Sequence, residues 1–314
     1  MFINSMKYFL LILLSNPVFA QRGIDTSETM TIGGIKQYIV IKGKDVTKPL
    51  LLFLHGGPGG SMIQIAGKVS GELQQEFVVV HWDQRETGET QKLNKTTQPL
   101  ALQMFDNDTH DLIDSLLRQF RRPKLYLVGY SWGSGLGFYI ADNYPELLYA
   151  YIAVSPLINQ WKSDSISFRM LKETMGKKAQ EELSQVKIPF ENADQLYYHR
   201  KWLFKHDGQK LVSLTLRKSF VQGWAATWLG VLLESCSINR FESSPAFRCP
   251  VYFFAGENDY QTNYSVTHDY YNVVSAPKKD LFLFSNAGHM LPETHGKKFQ
   301  EIIIDKILPE TFYY

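Results

Sequence analysis

The chain has 314 residues, of which 44% are hydrophobic and 20% are charged, and its formal net charge is +2. These values describe an ordinary globular protein that can bury a sizeable core, and the sequence contains no repeat or low-complexity tract. Because the lysine and arginine residues are scattered and nearly balanced by acidic ones, the composition argues against a nucleic-acid-binding protein.

The first twenty residues have the pattern of a secretory signal peptide. Lys7 precedes an apolar stretch over residues 8–14, and small residues lead to Ala20. This pattern predicts a signal peptide over residues 1–20, cleavage near Ala20, and export to the periplasm or the extracellular space. An uncleaved anchor is the alternative. The apolar stretch is short for a membrane span, so we expect no stable membrane insertion once the signal is removed.

Seven short apolar runs with polar or glycine-rich ends predict the strands of a sheet. Their near-continuous hydrophobicity is typical of strands covered on both faces, as in a parallel sheet flanked by helices. Helical patterns lie between the runs, as at residues 108–120, where Leu112, Ile113 and Leu116 share one face. The alternation predicts an α/β, doubly wound architecture. The runs are residues 38–41, 50–54, 77–80, 125–128, 151–154, 251–254 and 281–284.

The segment from about Gln160 to Ser235 interrupts this alternation. It is rich in Lys, Glu, Gln and aromatic residues, predicts several helices, and has no strong strand pattern. We therefore expect a core formed by residues 21–158 and 237–314, with a helical cap inserted at residues 159–236. Ligands of such sheets bind at the carboxyl ends of the strands, so the cap would shape the pocket.

The two cysteines of the sequence, Cys236 and Cys249, leave two interpretations open. In an oxidising compartment they could pair as a disulfide. A small buried hydrophobic residue is equally natural at Cys249, which lies just before the run at residues 251–254.

Ser131 is the candidate nucleophile. It lies in the sequence Gly129-Tyr-Ser-Trp-Gly133, directly after the run at residues 125–128. This pattern predicts a nucleophile elbow, in which a strand turns sharply into a helix and exposes one serine hydroxyl. Glycine is needed because the turn is strained and neighbouring chains pass close to it. The alternative is a glycine-rich turn with an inert serine.

A serine hydroxyl needs a base and an orienting carboxylate, and two later strand ends supply candidates. His289 follows the last run in the sequence Gly288-His289, which makes it the candidate base. Glu257 and Asp259 follow the run before it, and the residues alone leave open which of them contacts the imidazole. Asp269 is a weaker third candidate. The order serine, acid, histidine along the chain is the one expected of α/β hydrolases.

A glycine-rich loop after the run at residues 50–54 is the candidate oxyanion hole. The sequence His55-Gly-Gly-Pro-Gly-Gly60 can expose a backbone N–H toward the reaction centre. The Trp132 N–H, directly after the nucleophile, supplies a second donor. A phosphate-binding loop is the rival interpretation, but the Gly-Lys-Ser/Thr ending of such loops is missing.

Together these motifs resemble the proline iminopeptidase family of α/β hydrolases, which are serine aminopeptidases that often remove an N-terminal proline. The resemblance covers residues 30–156 and the chain from residue 245 onward. It implies an α/β-hydrolase fold with Ser131 as nucleophile, Asp259 as acid and His289 as base. The same match implies Gly57 and Trp132 as oxyanion donors. The motifs are His55-Gly-Gly-Pro-Gly-Gly60, Trp82-Asp-Gln-Arg85, Gly129-Tyr-Ser-Trp-Gly-Ser134, Gly256-x-x-Asp259 and Gly288-His289.

Asp83-Gln84-Arg85 would brace the site, but this sequence departs from the family pattern directly after it, at residues 86–90. In prolyl members a Trp-x-x-Trp-Glu-Gly stretch of the cap holds the free amine of the substrate. The nearest sequence here is Trp224-Ala-Ala-Thr-Trp228-Leu229-Gly230, with leucine in place of the carboxylate. The amine anchor is therefore not visible in the sequence, and specificity for proline does not follow from it.

The resulting hypothesis is an exported serine hydrolase that acts through an acyl-enzyme, without metal or cofactor. Its substrates would be small peptides, amides or esters, and an aminopeptidase is the leading interpretation. The alternative is a carboxylesterase or lipase-like enzyme, and a remote one is a non-catalytic binding protein on a hydrolase scaffold. Dehalogenase and epoxide hydrolase chemistry is disfavoured, because an aspartate nucleophile would be expected at the position of Ser131. Oligomeric state does not follow from the sequence.

Overall fold

The computed structural model describes residues 22–94, 98–207 and 216–312. The signal peptide predicted for residues 1–20 lies outside the described residues. Among the helices that are described, none combines the length and the apolar character needed to cross a membrane.

A sheet of eight strands forms the centre of the molecule, in the order β1-β2-β4-β3-β5-β6-β7-β8. The first strand pairs antiparallel with β2, and β2 pairs antiparallel with β4; all other neighbours are parallel. The mostly parallel sheet predicted from the sequence is thus confirmed. The strands are β1 Ile24–Ile32, β2 Ile35–Gly43, β3 Leu50–Leu54, β4 Val78–Asp83, β5 Leu125–Tyr130, β6 Leu148–Val154, β7 Val251–Gly256 and β8 Lys279–Phe284.

Each of the seven apolar runs falls in or overlaps one of the strands β2 to β8. The strand β1 was not predicted, because its residues alternate between polar and apolar and much of its surface is exposed. It lies at the edge of the sheet and pairs only with β2. Continuous hydrophobicity identified the other seven strands, including β8 at the opposite edge, whereas the alternating residues of β1 escape that criterion.

Both faces of the sheet are covered, as the apolar runs predicted. Leu52 and Leu127 are buried in a cluster on one face, whereas Leu51 and Tyr126 are buried in a cluster on the other. The helices are α1 Ala66–Ser70, α2 Gly88–Leu93, α3 Leu102–Phe120, α4 Trp132–Asn143, α5 Gln160–Thr174, α6 Lys177–Leu183, α7 Ala193–His206, α8 Lys218–Cys236, α9 Arg240–Ser243, α10 Tyr264–Val273, α11 Leu291–Thr294, α12 Gly296–Ile302 and α13 Leu308–Thr311. Single 3₁₀ turns occur at Ile63–Ile65, Glu72–Gln75 and Pro145–Leu147, and a π turn at Ile303–Ile307 joins α12 to α13.

The helices α5 to α8 lie between β6 and β7 and pack around a third hydrophobic cluster that contains Leu171, Leu183 and Leu203. The last of them, α8, also rests on the core. Glu234 accepts a hydrogen bond from the Leu102 N–H at 2.9 Å. We refer to α5–α8 as the inserted helices. Residues of α7 and α8 line a cavity together with Ser131, which follows the carboxyl end of β5. The cap boundaries at residues 159–236 stay a prediction.

Both cysteines are free and buried. Cys236 ends α8, and Cys249 belongs to the cluster on one face of the sheet. Of the two interpretations left open by the sequence, the structure therefore shows the buried hydrophobic one.

Candidate active site

Ser131 lies in a sharp turn between β5 and α4, with a positive φ of 52°. A non-glycine residue in this conformation is strained, and such strain is typical of nucleophile elbows. The flanking glycines leave room for close backbone approaches. A Cβ atom on Gly129 would lie 2.7 Å from the Gly133 carbonyl oxygen, and one on Gly133 only 2.2 Å from that of Leu54. The spacing of the motif is therefore imposed by packing.

The structure brings the three predicted catalytic side chains into one line of contacts. His289 Nε2 lies 3.0 Å from Ser131 Oγ, and His289 Nδ1 lies 3.0 Å from Asp259 Oδ2. All three residues are buried. The Tyr130 hydroxyl donates a hydrogen bond to the His289 carbonyl oxygen at 3.1 Å, and the Ser155 hydroxyl does so at 3.2 Å. These bonds fix the backbone that carries the imidazole.

Asp259 is held by its own loop. Its Oδ1 accepts the backbone N–H groups of Gln261 and Thr262 at 3.0 and 2.9 Å, and its Oδ2 accepts the Thr262 hydroxyl at 2.9 Å. Burial alone would raise the pKa of Asp259, but the charge of His289 and the hydrogen bonds from His289 and Thr262 outweigh it. The pKa of Asp259 is therefore lowered, and the carboxylate stays ionised beside the imidazole.

The other acidic candidate on the surface, Asp269, lies away from the imidazole and pairs with Lys162 at 3.0 Å, where both side chains are about half exposed. Of the two neighbouring carboxylates left open by the sequence, Asp259 contacts His289. Of two other histidines, His268 is exposed, and His206 is 24% exposed and lies 3.2 Å from Asp207 Oδ1.

The glycine-rich loop lies beside the nucleophile, and Gly57 and Trp132 line one cavity together with Ser131. Gly57 has a φ of 124°, and a Cβ atom there would lie 2.7 Å from the N atoms of both Gly59 and Gly60. A side chain at this position would therefore strain the loop and push apart the backbone groups that follow it.

Several contacts brace this loop from below. Burial lowers the pKa of His55 to about 4, so the ring is neutral, and its Nδ1 lies 2.8 Å from the Gly56 carbonyl oxygen. Gln84 accepts a hydrogen bond from Trp132 Nε1 at 3.0 Å. The adjacent Arg85 forms a bidentate ion pair with Asp108, whose side chain is 1% exposed. The brace implied by the family resemblance thus connects the loop to the helix after the nucleophile and to α3.

Two cavities open on either side of Ser131. The first, of about 210 Å³, lies under the inserted helices and is mostly apolar, with Leu196, Phe204 and Trp224 among its walls. The second, of about 350 Å³, lies between the glycine-rich loop and the loop of His289. His289 lines the second cavity but not the first.

Four residues near the reaction centre were not identified from the sequence: Thr262, Asp207, Gln160 and Glu293. Thr262 binds the Asp259 carboxylate, and its position three residues after Asp259 is a weak signal of an Asx turn. The other three lie in the cavity walls or close to them, and only the folded chain places them there. Among the described residues, no group of three His, Cys, Asp or Glu side chains could hold a metal ion.

Comparison with known proteins agrees with this geometry. Residues 49–296 match the family described as alpha/beta hydrolase fold. The chain is 30% identical over 292 residues to the probable aminopeptidase YbaC of Bacillus subtilis (strain 168), covering 86% of this chain and 92% of that protein.

Solved structures show the same fold at low sequence identity. The proline iminopeptidase of Mycobacterium smegmatis has a TM-score of 0.64 at 17% identity and covers 92% of this chain and 99% of its own. A thermophilic esterase from Thermogutta terrifontis has a TM-score of 0.58 at 16% identity, over 91% and 99% of the two chains. These likenesses concern the fold alone. The family match and the Bacillus relative confirm the resemblance seen in the sequence. The chain therefore belongs to the alpha/beta hydrolase fold family.

Proposed function

We propose that this chain is a serine aminopeptidase of the proline iminopeptidase type, which removes N-terminal residues from short peptides or amides. The observation that carries the proposal is the unbroken line of contacts from Asp259 through His289 to Ser131, with two distances of 3.0 Å, between two cavities. The name of the Bacillus subtilis relative, a probable aminopeptidase, supports a peptidase over other hydrolases.

Acylation begins when His289 Nε2 takes the proton of Ser131 Oγ, which attacks the carbonyl carbon of the scissile amide. The charge that develops on the carbonyl oxygen is stabilised by the backbone N–H groups of Gly57 and Trp132. The bond between the carbonyl carbon and the leaving nitrogen then breaks. The leaving nitrogen receives the proton from His289, and an ester to Ser131 remains.

Deacylation repeats the same steps with water. His289 removes a proton from the water molecule, the hydroxide attacks the ester carbonyl, and the proton returns to Ser131 Oγ as the acyl group leaves. Asp259 stays ionised throughout. Its negative charge, held by Thr262 and the loop backbone, stabilises the imidazolium that forms in both halves of the cycle.

An aminopeptidase also needs an acceptor for the free amine of its substrate, and Asp207 is our candidate. It directly follows α7 of the inserted helices, its side chain is only 7% exposed, and its charge acts on both Asp259 and His289. Burial raises the pKa of Asp207, although the hydrogen bond and the charge of His206 oppose this rise. An ammonium group would replace part of the hydration that burial removes from this carboxylate.

A carboxylesterase is the second candidate, and the walls of the first cavity favour it. Among the described residues, no carboxylate lines this cavity, and besides Ser131 its polar side chains include two glutamines, Thr262 and Arg200. Arg200 is itself neutralised by Asp164 at 2.7 Å. An apolar acyl chain would fit such a surface without any amine anchor.

The deciding experiment compares amides and esters on the purified chain and on Ser131→Ala. The panel contains aminoacyl- and prolyl-aminocoumarins with free or blocked amines, and p-nitrophenyl esters of increasing chain length. A preference for free-amine amides, lost in Ser131→Ala, supports the aminopeptidase. Hydrolysis of esters only, or indifference to the blocking group, establishes the esterase instead.

Two carboxylate variants separate the amine anchor from general effects on folding. Asp207→Asn is expected to raise KM for free-amine amides about tenfold and to affect ester hydrolysis much less, because an ester substrate has no amine that loses a charged partner. Asp269→Asn, on an exposed surface pair, is the matched control and should change neither value. An equal loss on both substrate classes would exclude Asp207 as the anchor.

We also propose that the chain is exported, with cleavage near Ala20. The support is the charged, apolar and small-residue pattern of residues 1–20. Fractionation of cells expressing the full sequence, with mass spectrometry of the N-terminus, tests this. A mature protein that begins near Gln21 in the exported fraction supports it, and a full-length cytoplasmic protein contradicts it.

A further inference from the structure

The second cavity lies on the side of Ser131 from which a leaving group departs. His289 lines this cavity and not the first, although Ser131 and Gly57 border both. In the proposed reaction the leaving nitrogen must receive its proton from His289 Nε2. The leaving part of the substrate therefore occupies the second cavity, and the acyl part occupies the first, under the inserted helices.

One wall of the second cavity carries a carboxylate, that of Glu293 in the short helix α11. Its side chain has no hydrogen bond and no ion pair with any residue that the structure describes; Lys68 and His289 act on it only through their charges. Partial burial raises the pKa of Glu293, and these two charges oppose the rise. The site therefore contains an unpaired acidic group with room beside it.

The rest of the cavity suits a long aliphatic chain. Met62, Ile65 and Met290 are apolar members of its lining, and glycines of the glycine-rich loop also line it. Apart from Glu293 and His289, its described lining contains no ionisable side chain other than the Tyr130 phenol. A lysine or arginine side chain matches this combination, because its methylene groups pack on apolar surface while its cationic end reaches an acidic partner.

We propose that Glu293 selects peptides whose second residue is lysine or arginine, by accepting hydrogen bonds from that side chain in the second cavity. The inference rests on the proposed aminopeptidase function and adds a specificity on the leaving side of the scissile bond. Glu293 is a specificity residue here, since it touches the substrate but none of the reacting atoms.

The test uses three dipeptide amides that share the N-terminal residue best cleaved in the aminocoumarin panel. Their second residues are lysine, the uncharged norleucine and glutamate. The wild-type chain is expected to give a kcat/KM about tenfold higher for lysine than for norleucine, which corresponds to about 1.4 kcal/mol. Glutamate should be the poorest of the three, because its charge faces that of Glu293.

Two variants at position 293 and one control make the result specific. Glu293→Gln should reduce the ratio of lysine to norleucine to about one, and Glu293→Lys should invert the order in favour of glutamate. Glu301→Gln, a matched change at an exposed position of α12, should keep the wild-type ratio and should hydrolyse an aminocoumarin amide at the wild-type rate.

The outcomes distinguish this inference from the proposed function. If amides are cleaved without a preference for lysine, or if Glu293→Gln keeps that preference, the assignment of Glu293 is wrong while the aminopeptidase stands. If no free-amine amide is cleaved, the proposed function is overturned and the assignment with it. Melting curves of the variants verify that each one is folded.

Discussion

Replacing Gly133 with alanine tests the packing that forms the nucleophile elbow. The added Cβ atom would lie 2.2 Å from the Leu54 carbonyl oxygen and 2.7 Å from that of His55. Carbon and oxygen atoms in ordinary contact are about 3.5 Å apart, so the start of α4 and the end of β3 must separate by about 1 Å. The two segments carry the nucleophile and the oxyanion loop, and neither obstacle is a flexible side chain.

The expected losses follow from that displacement. Forcing an extra methyl group into a well-packed core costs about 1–3 kcal/mol of the free energy of unfolding. A misplacement of about 1 Å in a catalytic group lowers the rate about 100-fold. Gly230→Ala is the matched control, because a Cβ atom there meets nothing within 4 Å and the residue lies on the exposed face of α8. That variant should gain about 1 kcal/mol, since alanine is the better helix former.

Urea denaturation measures the stability change, and the rate at which a fluorophosphonate labels Ser131 measures the state of the elbow. We expect Gly133→Ala to unfold at lower urea concentration and to label at least about tenfold more slowly than the wild type. Gly230→Ala should unfold at a higher urea concentration than the wild type, and Ser131 in this variant should be labelled at the wild-type rate. Wild-type stability and labelling in Gly133→Ala would refute the close approach of α4 to β3.

Three further changes have defined outcomes. Thr262→Val removes the hydroxyl that binds Asp259, so kcat/KM for an amide should fall about tenfold, whereas Thr262→Ser should keep most of the activity. Arg85→Met leaves the buried Asp108 carboxylate without its cation and should cost about 3 kcal/mol in urea denaturation. Burial raises the pKa of Asp106 to about 7. The folded protein therefore binds a proton at Asp106 more tightly than the unfolded chain does. Because of this difference, the free energy of unfolding decreases as pH rises from about 4 to about 7. Asp106→Asn should consequently stabilise the protein at about pH 8, by at most about 4 kcal/mol, and have little effect near pH 4, as thermal melts would show.

The sequence was sufficient to identify Ser131 and His289 as the candidate nucleophile and base because their signals are local. Ser131 stands in a motif whose glycines are required by close backbone contacts, and His289 lies in the loop that follows the partly exposed strand β8. Local sequence did not decide whether Glu257 or Asp259 contacts His289. The contact depends on a loop in which the N–H groups of Gln261 and Thr262 turn toward one of the two carboxylates.

The two residues that we propose to contact the substrate could not be identified from the sequence for a different reason. Asp207 and Glu293 belong to segments far from Ser131 along the chain, and no spacing rule relates them to it. The edge strand β1 shows the same limit in the fold, since its partly exposed residues lack the apolar continuity that marked the other seven strands. Local pattern predicts the elements and their ends, whereas long-range packing decides which side chains meet a substrate.

The hydrophobic cluster of the inserted helices has members of its own, such as Leu196 of α7, whereas Trp224 and Leu232 of α8 pack on both this cluster and the core. The part of the first cavity's wall that α7 forms therefore relies on different packing contacts from those that hold Ser131 and His289. Changes in that wall can accumulate with little effect on the folding of the sheet. Over evolution, or in directed selection, substitutions in one inserted helix at a time can therefore change which substrates such a hydrolase accepts, while its reaction stays the same.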